Sequence, residues 1–241
     1  MPRKIEHDRD AAKIPNTSYR FDRKTYEEFF DADFRRRLNA LNKIVVDSGK
    51  IIEGGLFYWN NASDFADRMP DPSLAPSRRN YWRATRFKSC LLEIGVNAGH
   101  SALLALSLNT RIFYHGIDIN WHPYTAPCMK YLSDEFPGRV LYTPGDSREV
   151  LPQLAMRTDN LHYDLFHVDG GHTEELCRTD ISNCLRLSDQ QNRPHLLLDD
   201  INAAWIYDVY CEFVSLGRLS TESYFSDWED MNRNVLARIM P

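Results

Sequence analysis

The sequence predicts an α/β chain: a doubly wound, mostly parallel seven-stranded sheet with helices on both faces and a helical extension at the N-terminus. Two observations carry this. From Ser89 onward, short apolar runs alternate with stretches of helical periodicity, the pattern of a parallel sheet linked by crossover helices. Ahead of Ser89 the pattern differs, with apolar residues at helical spacing followed by an irregular aromatic stretch. With 241 residues, 43% of them hydrophobic, the chain can bury a sizeable core.

Taken in order, residues 1–20 are polar and read as a mobile arm. Over 25–46, Tyr26, Phe29, Phe30, Phe34, Leu38, Leu41, Ile44 and Val45 recur at roughly helical spacing, giving one or two amphipathic helices. Between Gly54 and Asn80, glycines, aromatics and three prolines (Pro70, Pro72, Pro76) break any period, and the stretch reads as a loop or lid. Strands follow at 90–94, 112–117, 140–142, 164–168 and 195–198, separated by helices over 101–108, 127–135, 147–154 and 173–187. A helix over 203–216 and two short strands, near Tyr224 and over 235–239, complete a Rossmann-like sheet. The expected division is an N-terminal part, 1–85, of arm, helices and lid-like loop, and a ligand-binding domain, 86–241.

Charge and cysteine usage narrow the function classes. A net charge of −5 argues against nucleic acid or an anionic membrane surface as partner, since both reward an excess of Lys and Arg. A small molecule is the expected ligand. The five cysteines (Cys90, Cys128, Cys177, Cys184, Cys211) are scattered without a CxxC pair, which fits a reducing, cytoplasmic setting. Neither an apolar signal region nor a membrane-length apolar window is expected. Whether the chain forms a homo-oligomer is left open.

The first predicted strand runs through Glu93 into Gly95, Gly99, His100 and Ser101, a Glu-x-Gly-x-x-x-Gly bend opening a helix. Glycines let backbone approach a ligand closely, and a helix start offers free N–H groups to an anion such as a carboxylate. The spacing is not the GxGxxG of dinucleotide binders, so a ligand less anionic than a pyrophosphate is implied. Asp118 ends the second strand, where a carboxylate can take both hydroxyls of a ribose. Asp146 and Ser147 follow the third, where they can meet an adenine edge or simply cap a helix. This chain order suits S-adenosylmethionine better than a nicotinamide dinucleotide. His100 can touch the carboxylate or face solvent, and Trp121, His122 and Tyr124 can cover the adenine or pack on the sheet edge.

The segment from Glu93 to Ser101 resembles the first motif of class I S-adenosylmethionine-dependent methyltransferases, especially the catechol O-methyltransferase-like branch. The Asp169-Gly170-Gly171-His172 stretch resembles that of macrolide sugar O-methyltransferases, and a similar stretch occurs in oxygenases of the cephalosporin-hydroxylase type. The resemblance spans about 89–202.

Asp169 ends the fourth predicted strand and Asp199 and Asp200 the fifth, so three carboxylates gather at one sheet edge. Their mutual repulsion is relieved by a hard divalent cation with oxygen ligands, Mg²⁺ being the expected one. By resemblance, such an ion holds the substrate's hydroxyls beside Asp169, which also borders the methyl donor. His172 stands where the catechol branch carries a lysine base, and imidazole can take a proton near neutrality. Asp200 replaces an Asn of that branch. The expected activity is O-methylation of a small hydroxylated molecule, a sugar or secondary metabolite. A metal-independent enzyme using His172 alone, a catalytically silent binding domain and, by resemblance, an oxygenase of the cephalosporin-hydroxylase type are the rival readings. His167 and His195 lie within apolar strands and read as satisfied core histidines.

Overall fold

The computed structural model describes residues 30–59, 69–157, 161–227 and 230–241. The expected N-terminal arm, and the part of the expected first helix before Phe30, lie outside them. Seven strands form one sheet in the order β3–β2–β1–β4–β5–β7–β6. The first five, β1 (Cys90–Ile94), β2 (Phe113–Asp118), β3 (Val140–Pro144), β4 (Leu165–Val168) and β5 (His195–Leu198), are parallel. β7 (Asp230–Ile239) runs antiparallel to β5 and pairs with β6 (Leu219–Asp227) at the edge. The seven-stranded, mostly parallel sheet is thus as expected. Its last two strands are longer than expected, nine and ten residues, because they form one hairpin whose inner arm takes hydrogen bonds on both sides.

The central strand shows how the sheet is specified. All five residues of β1 are buried, as a parallel strand covered on both faces requires. Alternate side chains enter different cores: Leu91 packs with the N-terminal helices, while Cys90, Leu92 and Ile94 join the cluster on the opposite face. The first face is covered by α1 (Ala32–Asp47), α2 (Ala75–Thr85), α3 (His100–Leu108) and α4 (Thr125–Glu135), contributing Phe34, Tyr81, Leu103 and Leu132 to a single cluster. The other is covered by α5 (Ser147–Ala155), α6 (Glu174–Leu187) and α7 (Ala204–Ser215), through Leu151, Ile181 and Val209. Buried between the sheet and α1, α3 has six buried residues out of nine, matching its nearly uniform apolar sequence.

The expected loop over 54–80 needs correction. A short 3₁₀ turn (Pro72–Leu74) leads directly into α2, which begins at Ala75. Pro72 and Pro76 break periodicity in the sequence, but each stands at the first positions of its helix, where a missing N–H costs nothing. Asp71 accepts the N–H of Ser73 at 2.9 Å to start the turn. Residues 60–68 of that stretch lie outside the described residues.

Candidate active site

The carboxyl ends of β1 to β5 open on a cleft of about 870 Å³, at the β1/β4 boundary where the strand order reverses. Gly95, His100, Ser101, Asp118, Asp146, Ser147, Asp169, His172, Asp199 and Asp200 all line it; Glu93 and Gly99 do not. The N-terminal part contributes Glu53, Gly54, Tyr58 and Trp59 to the opposite wall.

At the end of β1 the chain turns with Gly95 at φ +87° and Gly99 at φ +72°. The reason for glycine is internal packing. A Cβ on Gly95 would lie 1.9 Å from the Asp169 carbonyl oxygen, and one on Gly99 2.8 Å from Leu132 Cδ1. α3 then starts with no side-chain cap, leaving first-turn N–H groups for an anion. Asn97, also left-handed at φ +52°, ties this turn to its neighbours: its side chain accepts from the Tyr124 hydroxyl at 2.8 Å and donates to the Gly54 carbonyl at 3.1 Å.

Asp118 is braced against the same turn. Its Oδ2 accepts the N–H groups of Val96 at 2.8 Å and Asn97 at 3.0 Å, and its Oδ1 that of Asn120 at 2.7 Å. Asp146 caps α5 through the Arg148 N–H at 2.9 Å and forms an ion pair with the Arg148 guanidinium at 2.5 Å. Of the aromatics after Asp118, Tyr124 is core, His122 stacks on it at 4.8 Å and pairs with Glu53, and Trp121 is exposed on the cleft wall.

Glu93, expected to touch the cofactor, is fully buried beneath the turn on the α1–α4 side. Ser101 Oγ donates to its Oε1 at 2.5 Å, the Tyr114 hydroxyl donates to Oε2, and His167 Nδ1 lies 2.8 Å from Oε1. A buried carboxylate persists only with such partners, so Ser101 reaches Glu93 as well as bordering the cleft. His100 lines the cleft although it is almost fully buried. Its Nε2 lies 3.0 Å from Asn42 Oδ1, its ring sits edge-on to Phe57 and Tyr58, and burial lowers its pKa to about 4.

On the other half of the cleft the carboxylates converge as expected. His167, Asp169 and Asp199 present ligand atoms within 4.8 Å of one another, as do Asp169, His172 and Asp200. Burial, then the charges of Asp199, Asp200 and Glu93, push the Asp169 carboxyl well above the usual carboxylate range. Asp200 holds a left-handed backbone at φ +56°, an uncommon state for a residue other than glycine. His172 is exposed and its Nε2 lies 2.6 Å from Asp200 Oδ2; that hydrogen bond, opposed by burial, raises its pKa. This donor set, oxygen-rich with imidazole at two corners, fits a divalent cation.

His195 behaves as expected, bonded to Lys88 at 2.7 Å and Glu222 at 3.0 Å. His167 does not. Its Nδ1 is satisfied by Glu93, but Nε2 is buried without a hydrogen-bond partner among the described residues, and the residue lines the cleft. The available signal was its spacing: two residues before Asp169, it falls on the strand face that Glu93 shares.

A methyltransferase-domain family model matches residues 92–201. No curated protein matches the chain in sequence. Among solved structures, an O-methyltransferase from Bacillus cereus in complex with SAH superposes with a TM-score of 0.62 at 13% identity, covering 85% of this chain and 91% of that one. The O-methyltransferase TomG from Streptomyces achromogenes, involved in tomaymycin synthesis and solved with SAM, gives 0.61 at 15% identity over 88% of this chain and 91% of its own. SAH-bound PaMTH1, a Podospora anserina methyltransferase, gives 0.55 at 15% identity over 84% and 88%. Residues 92–201 therefore match a methyltransferase domain, and the chain shares the Rossmann-like fold of these solved methyltransferases.

Proposed function

We propose that the chain is an S-adenosylmethionine-dependent, divalent-metal-assisted O-methyltransferase acting on a small hydroxylated molecule, a sugar or secondary metabolite. The observation that carries this reading is the convergence, in one cleft, of the uncapped α3 start, Asp118 and the Asp169–His172–Asp199–Asp200 group. Bound S-adenosylmethionine supplies an electrophilic methyl group, and a divalent ion supplies positive charge that favours an ionised hydroxyl. The chain's own part is alignment and proton management. The α3 start and the Gly95 turn receive the carboxylate of the amino-acid tail, and Asp118, braced by three backbone amides, keeps a lone pair on Oδ1 for a ribose hydroxyl. Asp169, Asp199 and Asp200 would hold the ion. His172 takes the acceptor hydroxyl's proton at Nε2 once the substrate has displaced Asp200 from that atom.

The cysteines support a reducing, cytoplasmic setting: all five are free, four of them buried. No described helix is long and apolar enough to cross a membrane.

Calorimetry with S-adenosylhomocysteine tests the cofactor reading directly, and absence of binding would remove it. His172→Ala is expected to lower kcat by about 10²–10⁴ with that binding unchanged. In the chelator-treated chain the hydrogen bond to Asp200 holds the His172 pKa above the ordinary 6.5, so an NMR titration of that ring should have its midpoint above 6.5. The direct His172–Asp200 contact also favours a second reading, a metal-free dyad, in which chelator leaves turnover intact.

A further inference from the structure

His167 is the penultimate residue of β4, 2% exposed and facing the α1–α4 side of the sheet. Across the β1–β4 register it stands opposite Glu93, and its Nδ1 lies 2.8 Å from Glu93 Oε1. Glu93 also accepts from Ser101 and Tyr114, so it acts as an acceptor throughout and the ring hydrogen belongs on Nδ1. In the neutral ring Nε2 then keeps its lone pair, and that atom is buried and without a hydrogen-bond partner among the described residues. An orphaned buried nitrogen is costly, so the place it faces is informative. His167 lines the cleft, and one of its ring nitrogens lies within 4.8 Å of carboxylate oxygens of Asp169 and Asp199.

A histidine held by a carboxylate through one ring nitrogen, with the other turned toward oxygen donors, is the arrangement in which proteins fix the tautomer of a metal ligand. Building on the metal-assisted reading above, we infer that His167 is a direct ligand of the ion, between Asp169 and Asp199, with Glu93 as the positioning residue behind its ring. The nitrogen donor makes this a site for a transition ion such as Mn²⁺ ahead of Mg²⁺, since imidazole suits first-row transition metals whereas magnesium favours oxygen and water. His172, exposed and turned to Asp200, stays on the substrate side.

The test uses the full chain freed of metal by chelator, titrated with Mn²⁺ and with Mg²⁺ by calorimetry, and loaded with Mn²⁺ for pulsed EPR. The expected result is Mn²⁺ binding at least about tenfold tighter than Mg²⁺, with imidazole nitrogen coupling that persists in His172→Gln and disappears in His167→Gln. Glu93→Gln should weaken Mn²⁺ by about 10- to 100-fold. Where His167→Gln fails to fold, the parent and His172→Gln decide alone: coupling kept supports His167, and coupling lost assigns the nitrogen to His172 and overturns the inference. Binding of S-adenosylhomocysteine by the same samples separates the two failures. If it binds while Mn²⁺ shows no nitrogen coupling, no preference over Mg²⁺ or no affinity, His167 is not a ligand and the methyltransferase reading stands. If it does not bind, that reading falls and the inference with it.

Discussion

The two halves of the cleft are built on opposite principles. In the half formed by β1, β2 and β3, polar groups are largely answered by the protein itself: Asp118 by three amides, Asp146 by Arg148, Glu93 by Ser101, Tyr114 and His167. In the half formed by β4 and β5, Asp169 is pushed toward its neutral form by burial and then by Asp199 and Asp200, Asp200 has an uncommon backbone, and His167 keeps a nitrogen without a hydrogen-bond partner among the described residues. The first half is preorganised before any ligand arrives. The second carries unfavourable electrostatics that an added cation would relieve.

That contrast can be broken most sharply at Gly95. Gly95→Val places a Cβ against the Asp169 backbone and fills a left-handed position, so a loss of about 4 kcal/mol or more is expected in chemical denaturation. Retention of parental stability would mean that the turn yields easily and the first half is not rigid. The variant reads out folding, and it cannot serve as a probe of cofactor contact alone.

A smaller effect, of opposite sign, is expected in the second half. A carboxyl whose folded pKa is raised stabilises the fold at low pH, and that stability is lost as pH climbs above the ordinary 3.8 through the raised value. Chelator-treated protein should therefore lose stability across that window. Asp169→Asn should flatten the loss and gain about 1–3 kcal/mol at neutral pH while weakening Mn²⁺ binding. Thermal melts against pH measure it, and a variant less stable than the parent at neutral pH would refute the crowding argument. The smallest effect belongs to the surface Asp146–Arg148 pair: Arg148→Ala should leave the thermal midpoint almost unchanged.

Much of this was legible along the chain. The run from Cys90 to Ile94, its glycine turn and the aspartates at strand ends announce a parallel sheet whose carboxyl edge holds a site, because burial on two faces demands continuous apolar residues and sharp turns demand glycine. α2 was not legible, since Pro72 and Pro76 look alike whether they end a helix or begin one. Ten of the twelve expected site residues line one cleft, Glu93 and Gly99 being the exceptions, and the contacts each makes there were not legible. Glu93 lies beneath the cradle, and His100 lines the cleft while leaning on Asn42.

Local composition and spacing were enough, by themselves, to determine the α/β class, the strand order of the motifs and the gathering of Asp169, Asp199 and Asp200. Only tertiary structure decided that His167 faces the carboxylates, that Gly95 is required by Asp169 rather than by a ligand, and that Asp118 is braced by the turn it follows. The reason is physical: periodicity encodes which face a side chain takes, whereas a partner across the β1–β4 register is set by strands more than seventy residues apart (|i−j| = 74 for Glu93 and His167).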